Sequence, residues 1–157
     1  MTPFYAGHSV SVVQTRQQYA RADSASSPVM GESAFGAVMR TLRERRELSL
    51  RDLAALAEVD HAYISKIERG EKEPPPDETF VRLSRHLKPS AHELALLKFL
   101  HANNAVDPPL AMQALVDPEV TPEILAIAVS VVHRGAGRPT PAQWLERAKK
   151  AKRAMEE

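Results

Sequence analysis

Residues 42–70 read LRERRELSLRDLAALAEVDHAYISKIERG and contain the most informative pattern in the chain. The pattern predicts two short helices, near 50–57 and 61–69, which are separated by a tight turn. Ser49 stands directly before the first helix and Asp52 follows three residues later. This is a variant of the capping box that marks helix starts, so the first helix is expected to begin at this point.

The second of these helices has two different faces. Ile64 and Ile67 lie three positions apart, so at about 100° per residue both side chains point to the same side. Glu68 lies near that side as well. Four other residues point away from it: Ala62, Ser65, Lys66 and Arg69. A helix with an apolar inner edge and small or cationic residues outside fits the DNA major groove, so the sequence predicts DNA binding.

Composition narrows the classes of protein that remain. The chain has 157 residues, with 21 Lys plus Arg against 20 Asp plus Glu and a formal net charge of +1. This balance excludes a histone-like or polybasic protein, so binding to DNA must come from a local patch. The absence of cysteine excludes disulfides, thiol catalysis and cysteine-ligated zinc or iron–sulfur sites.

Other catalytic and targeting signals are missing from the sequence too. The six histidines are scattered without paired-ligand spacing, so we expect no metal site. No nucleophile–base set and no phosphate-cradling loop occurs, so we expect neither enzymatic activity nor a cofactor. No apolar run approaches the roughly 20 residues of a spanning helix and no secretory signal occurs, which favours a cytoplasmic protein.

Helix signals are frequent along the chain and strand signals are almost absent, so we predict an all-α fold of about eight helices. Residues 1–33 end in a Ser/Ala/Pro-rich segment and are predicted to be a flexible tail. A dense helical pattern covers residues 34–101, and helical signals resume in residues 102–157 after the sequence NNAVDPP. Capping residues mark further helix starts: Ser90 with Glu93, Thr121 before Pro122, and Thr140 before Pro141.

The pattern of residues 34–101 resembles the Xre family of helix-turn-helix domains. The matching residues keep the order and spacing of that family: Arg43, Leu48, Leu53, Ala54, Val59, Ile64, Ile67, Glu68, Gly70 and Pro75. The resemblance implies a five-helix DNA-binding domain and a sequence-specific transcriptional regulator. Glu58 is a departure, because the family often has glycine at this turn position. A positive φ there would cost a non-glycine residue about 1 kcal/mol.

The resemblance also implies roles for individual residues. One group, at the start of the second helix and about a turn later, would read base edges: His61, Ala62, Ser65 and Lys66. A second group would contact the phosphate backbone: Ser49, Leu50, Arg51, Tyr63, Arg69 and Lys72. Arg43 and Glu68 match a structural salt bridge that ties the first helix of the domain to the recognition helix. Arg40 and Arg45 are interpreted as an ordinary solvated face.

The stretch 122–133, PEILAIAVSVVH, is apolar around nearly the whole circumference of a helix. Such a helix must be covered on several sides, yet residues 102–157 are few for an independent core. Self-association would cover it, and an isologous dimer suits a repressor that reads two half-sites. Packing against the DNA-binding domain is the alternative. The dimer interpretation places four residues at the interface: Ile124, Ile127, Val131 and Trp144.

Residues 117–157 are similar to the DdrO family of bacterial stress-response repressors in the order of their motifs. These motifs are an Asp-Pro pair, a Thr-Pro helix start, an apolar helix, the sequence HRGAGRP and a basic last helix with a tryptophan. The resemblance implies a three-helix dimerisation domain in a homodimeric, nucleoid-associated repressor of DNA-damage genes on a palindromic operator. It also implies inactivation by a zinc metalloprotease of the IrrE or ImmA type, which cuts between His133 and Arg134.

Three alternatives stay open at this point. On the first, the segment around His133 and Arg134 is a plain connection between helices and not a cleavage site. On the second, the protein is an immunity repressor of a phage or mobile element, which binds DNA in the same way but controls other genes. On the third, it is an antitoxin whose carboxyl-terminal part wraps a toxin.

Overall fold

The computed structural model describes residues 32–131 and 137–157. Within these residues the chain forms eight α-helices and no strand. In chain order the helices are α1 (Ala34–Arg45), α2 (Leu50–Ala57), α3 (His61–Glu68), α4 (Asp77–Leu87), α5 (Ala91–Ala102), α6 (Pro108–Val116), α7 (Pro122–Ser130) and α8 (Pro141–Glu156). The all-α prediction is confirmed. The predicted tail of residues 1–33 lies almost wholly outside the described residues.

The helices begin where the capping residues of the sequence predict. At the start of α2, Ser49 Oγ accepts a hydrogen bond from the Asp52 amide at 3.0 Å, and Asp52 Oδ2 accepts one from the Ser49 amide at 2.8 Å. Ser90 and Glu93 form the same reciprocal pair at α5, and Thr140 begins a third capping box at α8. These bonds satisfy amides that a helix end otherwise leaves without partners.

Helix α1 lies at the centre of the fold and packs against α3, α4, α5 and α6. Its buried residues Val38 and Met39 join Leu53 of α2, Ile67 of α3 and Leu97 of α5 in one apolar core. Each large apolar side chain that leaves water in this way stabilises the folded state by about 1.5–3 kcal/mol. The core therefore holds α2 and α3 in a fixed relation to α1.

The same core continues into the last three helices, and residues 32–157 form one compact unit. The Thr41 hydroxyl of α1 lies 3.9 Å from Met112 Sδ of α6. His92 Nε2 of α5 lies 2.9 Å from the carbonyl oxygen of Ala114, also in α6. Helix α6 is thus attached to both α1 and α5. The boundary between residues 101 and 102 stays a prediction from the sequence.

The apolar helix predicted over 122–133 is shorter in the structure. Helix α7 ends at Ser130, and Val131 has extended backbone with φ −81° and ψ 112°. The helix packs mainly against α8 and also contacts α5. Ile124, predicted at a dimer interface, is only 6% exposed because the chain itself covers it. The inner side of α7 is therefore part of the core, and only its outer side is available to a partner.

Lys149 ties α8 to the connection between α6 and α7. Its buried ammonium contacts three carboxylates: Asp117 at 2.7 Å, Glu119 at 3.1 Å and Glu146 at 2.9 Å. The hydrogen bond to Asp117 is the main cause that raises the pKa of Lys149, and the same bond lowers the pKa of the Asp117 carboxyl. An ammonium can be buried here because the carboxylates replace the water that it loses.

The turn between α2 and α3 has left-handed backbone at a non-glycine residue. Glu58 has φ 56° and ψ 47°, and its amide donates to the carbonyl oxygen of Ala54. Glu47 and Lys88 also have positive φ. A left-handed L-residue costs roughly 1–2 kcal/mol. The turn thus takes the conformation expected of a glycine position, and Glu58 bears the conformational cost.

Candidate nucleic-acid interface

Helix α3 presents one face to the core and the other to solvent. Ile64 and Ile67 are fully buried, as the spacing of the sequence predicts. Ser65 and Tyr63 are half-buried. The remaining residues of the predicted contact surface on α3 and directly after it are exposed: His61, Ala62, Lys66 and Arg69. The structure therefore brings the predicted base-reading residues onto one short helix, with their outer edge free to enter a groove.

The amino terminus of α3 carries its own carboxylate. Asp60 Oδ1 accepts a hydrogen bond from the Ala62 amide at 2.9 Å, and His61 Nδ1 lies 3.6 Å from the same oxygen. This cap stabilises the first turn of the helix. A negative charge at this position repels phosphate, so the start of α3 suits contacts to base edges better than contacts to the backbone of DNA.

The amino terminus of α2 carries a carboxylate as well. The capping box occupies both the hydroxyl and the amide of Ser49, and hydrogen bonds from Ser49 hold the pKa of Asp52 below its usual value. Leu50 is half-buried and packs against the core. A DNA phosphate that bound at Ser49 and Leu50, as the resemblance implies, would therefore lie near the ionised Asp52 carboxylate. Arg51, which is exposed, is the residue of this group that carries a positive charge.

The segment after α3 folds back onto the helix. Gly70 has φ 73°, a conformation that glycine adopts without strain. The amides of Glu71 and Lys72 then donate to the carbonyl oxygen of Lys66 at 2.9 Å and 3.2 Å. The reversal places Lys72 Nζ 5.9 Å from the centre of the Tyr63 ring. Two residues predicted to contact phosphate are thus neighbours in space.

Arg43 and Glu68 form a bidentate ion pair that joins α1 to α3. Arg43 Nε lies 2.7 Å from Glu68 Oε1, and Nη2 lies 3.0 Å from Oε2. The third nitrogen, Nη1, donates to the carbonyl oxygen of Leu48 at 2.7 Å. The two side chains are only 10% and 5% exposed, and the hydrogen bond to Glu68 raises the pKa of Arg43. The pair is buried, and each of the three guanidinium nitrogens donates a hydrogen bond, which offsets the loss of water around the two charges.

Gly36 lies where the backbone of α1 comes close to the end of α3. A Cβ atom at this position would collide with the carbonyl oxygen of Ile67 and lie 2.8 Å from that of Glu68. Glycine inside a helix is less favourable than alanine by roughly 1 kcal/mol, so its presence at this site indicates a packing requirement. The sequence alone shows a glycine inside a predicted helix, but it does not identify the residues that Gly36 approaches.

The four residues predicted at a dimer interface lie in different environments. Ile124 is buried, while Ile127 and Trp144 are half-buried and pack against the core. The Trp144 indole donates to the carbonyl oxygen of Ala128, so it links α8 to α7. Val131 is 52% exposed. The predicted cleavage residues, His133 and Arg134, lie outside the described residues.

Two absences hold for residues 32–131 and 137–157. These residues include no group of three or more histidine, aspartate or glutamate side chains arranged to hold a metal ion. None of their helices combines the length and the hydropathy that crossing a membrane requires.

Comparison with known proteins identifies the first part of the fold. Residues 34–97 match a family described as a helix-turn-helix domain. The match includes α1 to α4 and the first half of α5. The helix-turn-helix prediction is therefore confirmed, and the chain contains a domain typical of DNA-binding regulators. Neither a curated protein nor a solved structure matches the chain.

The Arg43–Glu68 pair gives a test of what holds the recognition helix in place. Arg43→Met is expected to lower the free energy of unfolding by about 3–5 kcal/mol, because it leaves the Glu68 carboxylate buried without a partner. The double variant Arg43→Met/Glu68→Met is expected to recover most of that loss. Urea denaturation measures both effects.

The control for this test is Arg40→Met on the same helix. Arg40 pairs with Glu44 at 2.9 Å, but both side chains are more than half exposed. Loss of this exposed pair is expected to lower the free energy of unfolding by at most about 1 kcal/mol. If Arg43→Met lowers the free energy of unfolding no more than Arg40→Met does, the buried pair does not hold α3 in place.

Proposed function

We propose that this protein is a homodimeric transcriptional repressor that binds a palindromic DNA operator and catalyses no reaction. The observation that carries the proposal is the outward face of α3. His61, Ala62 and Lys66 are exposed on this short helix, which the core and the Arg43–Glu68 pair hold rigidly. The match of residues 34–97 to a helix-turn-helix domain supports the same function.

The chemistry of each exposed residue suggests its contact. Lys66 forms no ion pair within the described residues, so its ammonium is available to donate to guanine O6 and N7. Ala62 suits contact with a thymine methyl group. Arg51 lies at the start of α2 and is available to bind phosphate. Base contacts on α3 would thus select the sequence, and flanking cations would supply affinity.

The carboxyl-terminal helices supply the surface for dimerisation. Val129 and Val131 are 43% and 52% exposed at the end of α7, although most of that helix is buried within the chain. These two exposed valines lie two positions apart in the chain, and a second apolar surface would remove both of them from water. A two-fold dimer would place two recognition helices on the half-sites of a palindrome, so we propose Val129 and Val131 as interface residues in addition to the half-buried Ile127.

Sequence recognition can be tested by selecting the operator from random duplexes and then measuring variants. Lys66→Ala is expected to weaken binding to the selected operator by about 1–3 kcal/mol and to relax the choice of base at one position. Arg51→Ala is expected to weaken binding to every sequence and to reduce the salt slope by about 0.9. Fluorescence anisotropy over a range of salt concentrations separates the two effects.

Lys150→Ala is the matched control, since Lys150 is an exposed lysine of α8, which packs on α6 and α7. It is expected to leave both the affinity and the base preference unchanged. Failure of the wild-type chain to enrich any sequence would reject the proposed function.

Dimerisation can be tested with two valines of equal exposure. Val131→Glu is expected to give a folded monomer with weaker operator binding, because a charge in an apolar interface is costly and the second half-site no longer adds affinity. Val81→Glu on α4 is the control, since Val81 is 53% exposed and Val131 is 52% exposed. Light scattering reads the mass of each variant. A dimer that survives Val131→Glu would place the interface elsewhere.

We extend the proposal to removal of repression by proteolysis. It is supported by the resemblance of residues 117–157 to the DdrO family. It is also supported by the packing of α7 on α8, because the bond between His133 and Arg134 lies in their connection. A cut there would leave α7 and α8 joined only by non-covalent contacts. The dimer surface on α7 would then lose the support of α8.

Incubation with a zinc metalloprotease of the IrrE or ImmA type is the corresponding test. Mass spectrometry is expected to show two fragments that meet at His133 and Arg134, together with loss of operator binding. Arg134→Pro is the control and is expected to stay intact, because proline after the cleaved bond removes the backbone amide and restricts the chain. An uncut wild-type chain, or a cut one that keeps its affinity, would contradict regulation by proteolysis.

A further inference from the structure

The segment that follows α3 contains two cations, and their neighbours distinguish them. Arg69 Nε lies 3.3 Å from Glu71 Oε1, so the charge of Arg69 is balanced locally. Lys72 forms no ion pair within the described part of the chain, and its ammonium stands near the ring of Tyr63. The segment therefore presents one cation whose charge is not neutralised, although its composition is mixed.

The backbone fixes the base of the Lys72 side chain. The carbonyl oxygen of Lys66 accepts hydrogen bonds from the amides of both Glu71 and Lys72. These two bonds anchor the segment to the last turn of α3. The Cα atom of Lys72 consequently has a set position relative to the recognition helix, and only the four-carbon side chain stays variable.

Tyr63 restricts that remaining freedom. Its ring is half-buried in the first turn of α3 and packs against the core. A ring that is held by the core gives a stationary face to the ammonium, which the negative side of an aromatic ring attracts. The distance of 5.9 Å from Lys72 Nζ to the ring centre is within the range of such attraction.

We infer that Tyr63 is a positioning residue, whose ring holds Lys72 beside the recognition helix so that the ammonium binds a DNA phosphate. The inference rests on the proposed function, because it assigns the route by which one phosphate is bound. Lysine has many rotamers, and restricting them before DNA arrives reduces the entropy that is lost on binding. The contribution of Tyr63 then depends on its aromatic face and not on its hydroxyl.

The test compares four variants of the full chain: Lys72→Ala, Tyr63→Leu, Tyr63→Phe and the double variant Lys72→Ala/Tyr63→Leu. Anisotropy with the selected operator at several salt concentrations gives affinity and salt slope. Lys72→Ala is expected to reduce the slope by about 0.9, the loss of one phosphate contact. Tyr63→Leu is expected to weaken binding about two- to fivefold, the size of an exposed cation–π contact. Tyr63→Phe keeps the aromatic face and is expected to bind more tightly than Tyr63→Leu, as rescue by the conservative variant.

The double variant separates positioning from a merely structural role. If Tyr63 acts through Lys72, the double variant binds no more weakly than Lys72→Ala alone. A further loss in the double variant, or an equal loss in Tyr63→Phe and Tyr63→Leu, would overturn the inference, since the ring or hydroxyl would then act by itself. Absence of DNA binding by the wild type would reject the proposed function instead.

If thermal unfolding shows that Tyr63→Leu is not folded, a nuclear magnetic resonance measurement on the wild type tests the inference instead. The protons on Cε of Lys72 are expected to be shifted upfield by the ring of Tyr63, and the shift should persist in Tyr63→Phe. An unshifted Lys72 resonance in the folded wild type would overturn the inference.

Discussion

The contact between α1 and α3 is the constraint on which the exposed face of α3 depends. Gly36 lets the two backbones approach, because any Cβ atom there would collide with the end of α3. The Arg43–Glu68 pair then fixes how α3 is rotated, since a bidentate guanidinium–carboxylate pair has one geometry. The bond from Arg43 to Leu48 also sets the path from α1 into α2. The exposed face of α3 is thus oriented by residues that themselves are buried.

Charge near this surface is balanced within a few residues. Asp52 and Asp60 stabilise the starts of α2 and α3, where helix dipoles and free amides favour carboxylates. The same charges repel phosphate, so under the proposed function cations without local partners supply the attraction to DNA. On α2, α3 and the segment directly after α3, the cations that form no ion pair within the described residues are Arg51, Lys66 and Lys72. A chain with a net charge of only +1 can therefore carry a positive patch, provided that the structure separates paired cations from unpaired ones.

The last three helices are coupled to the same central helix. The side of α1 that includes Thr41 contacts α6, and α6 in turn packs against α8. The buried Lys149 gives this packing a defined register, because its ammonium must meet carboxylates from the connection after α6. In the proposed dimer, a change at the end of α7 alters the interface without any change on α3. Under the proposed function, this arrangement separates control of assembly from recognition of sequence.

Local features of the fold were readable from the sequence. The all-α class, the starts of α2, α5 and α8, and the helix-turn-helix came from caps and periodicity, which act within one or two turns of a helix. The resemblance to the Xre family also implied the pairing of Arg43 with Glu68, which the structure places in contact. The outward direction of Lys66 followed from helix geometry alone.

Long-range packing accounts for the features that the sequence left open. Ile124 is buried on α7, a helix that packs against α8 and α5, and Gly36 faces carbonyl groups some thirty positions away. The difference between Arg69 and Lys72 depends on which ring or carboxylate each one meets after the chain reverses at Gly70. Caps and periodicity contain no information on such encounters, because burial and charge pairing depend on which distant residues the folded core brings together.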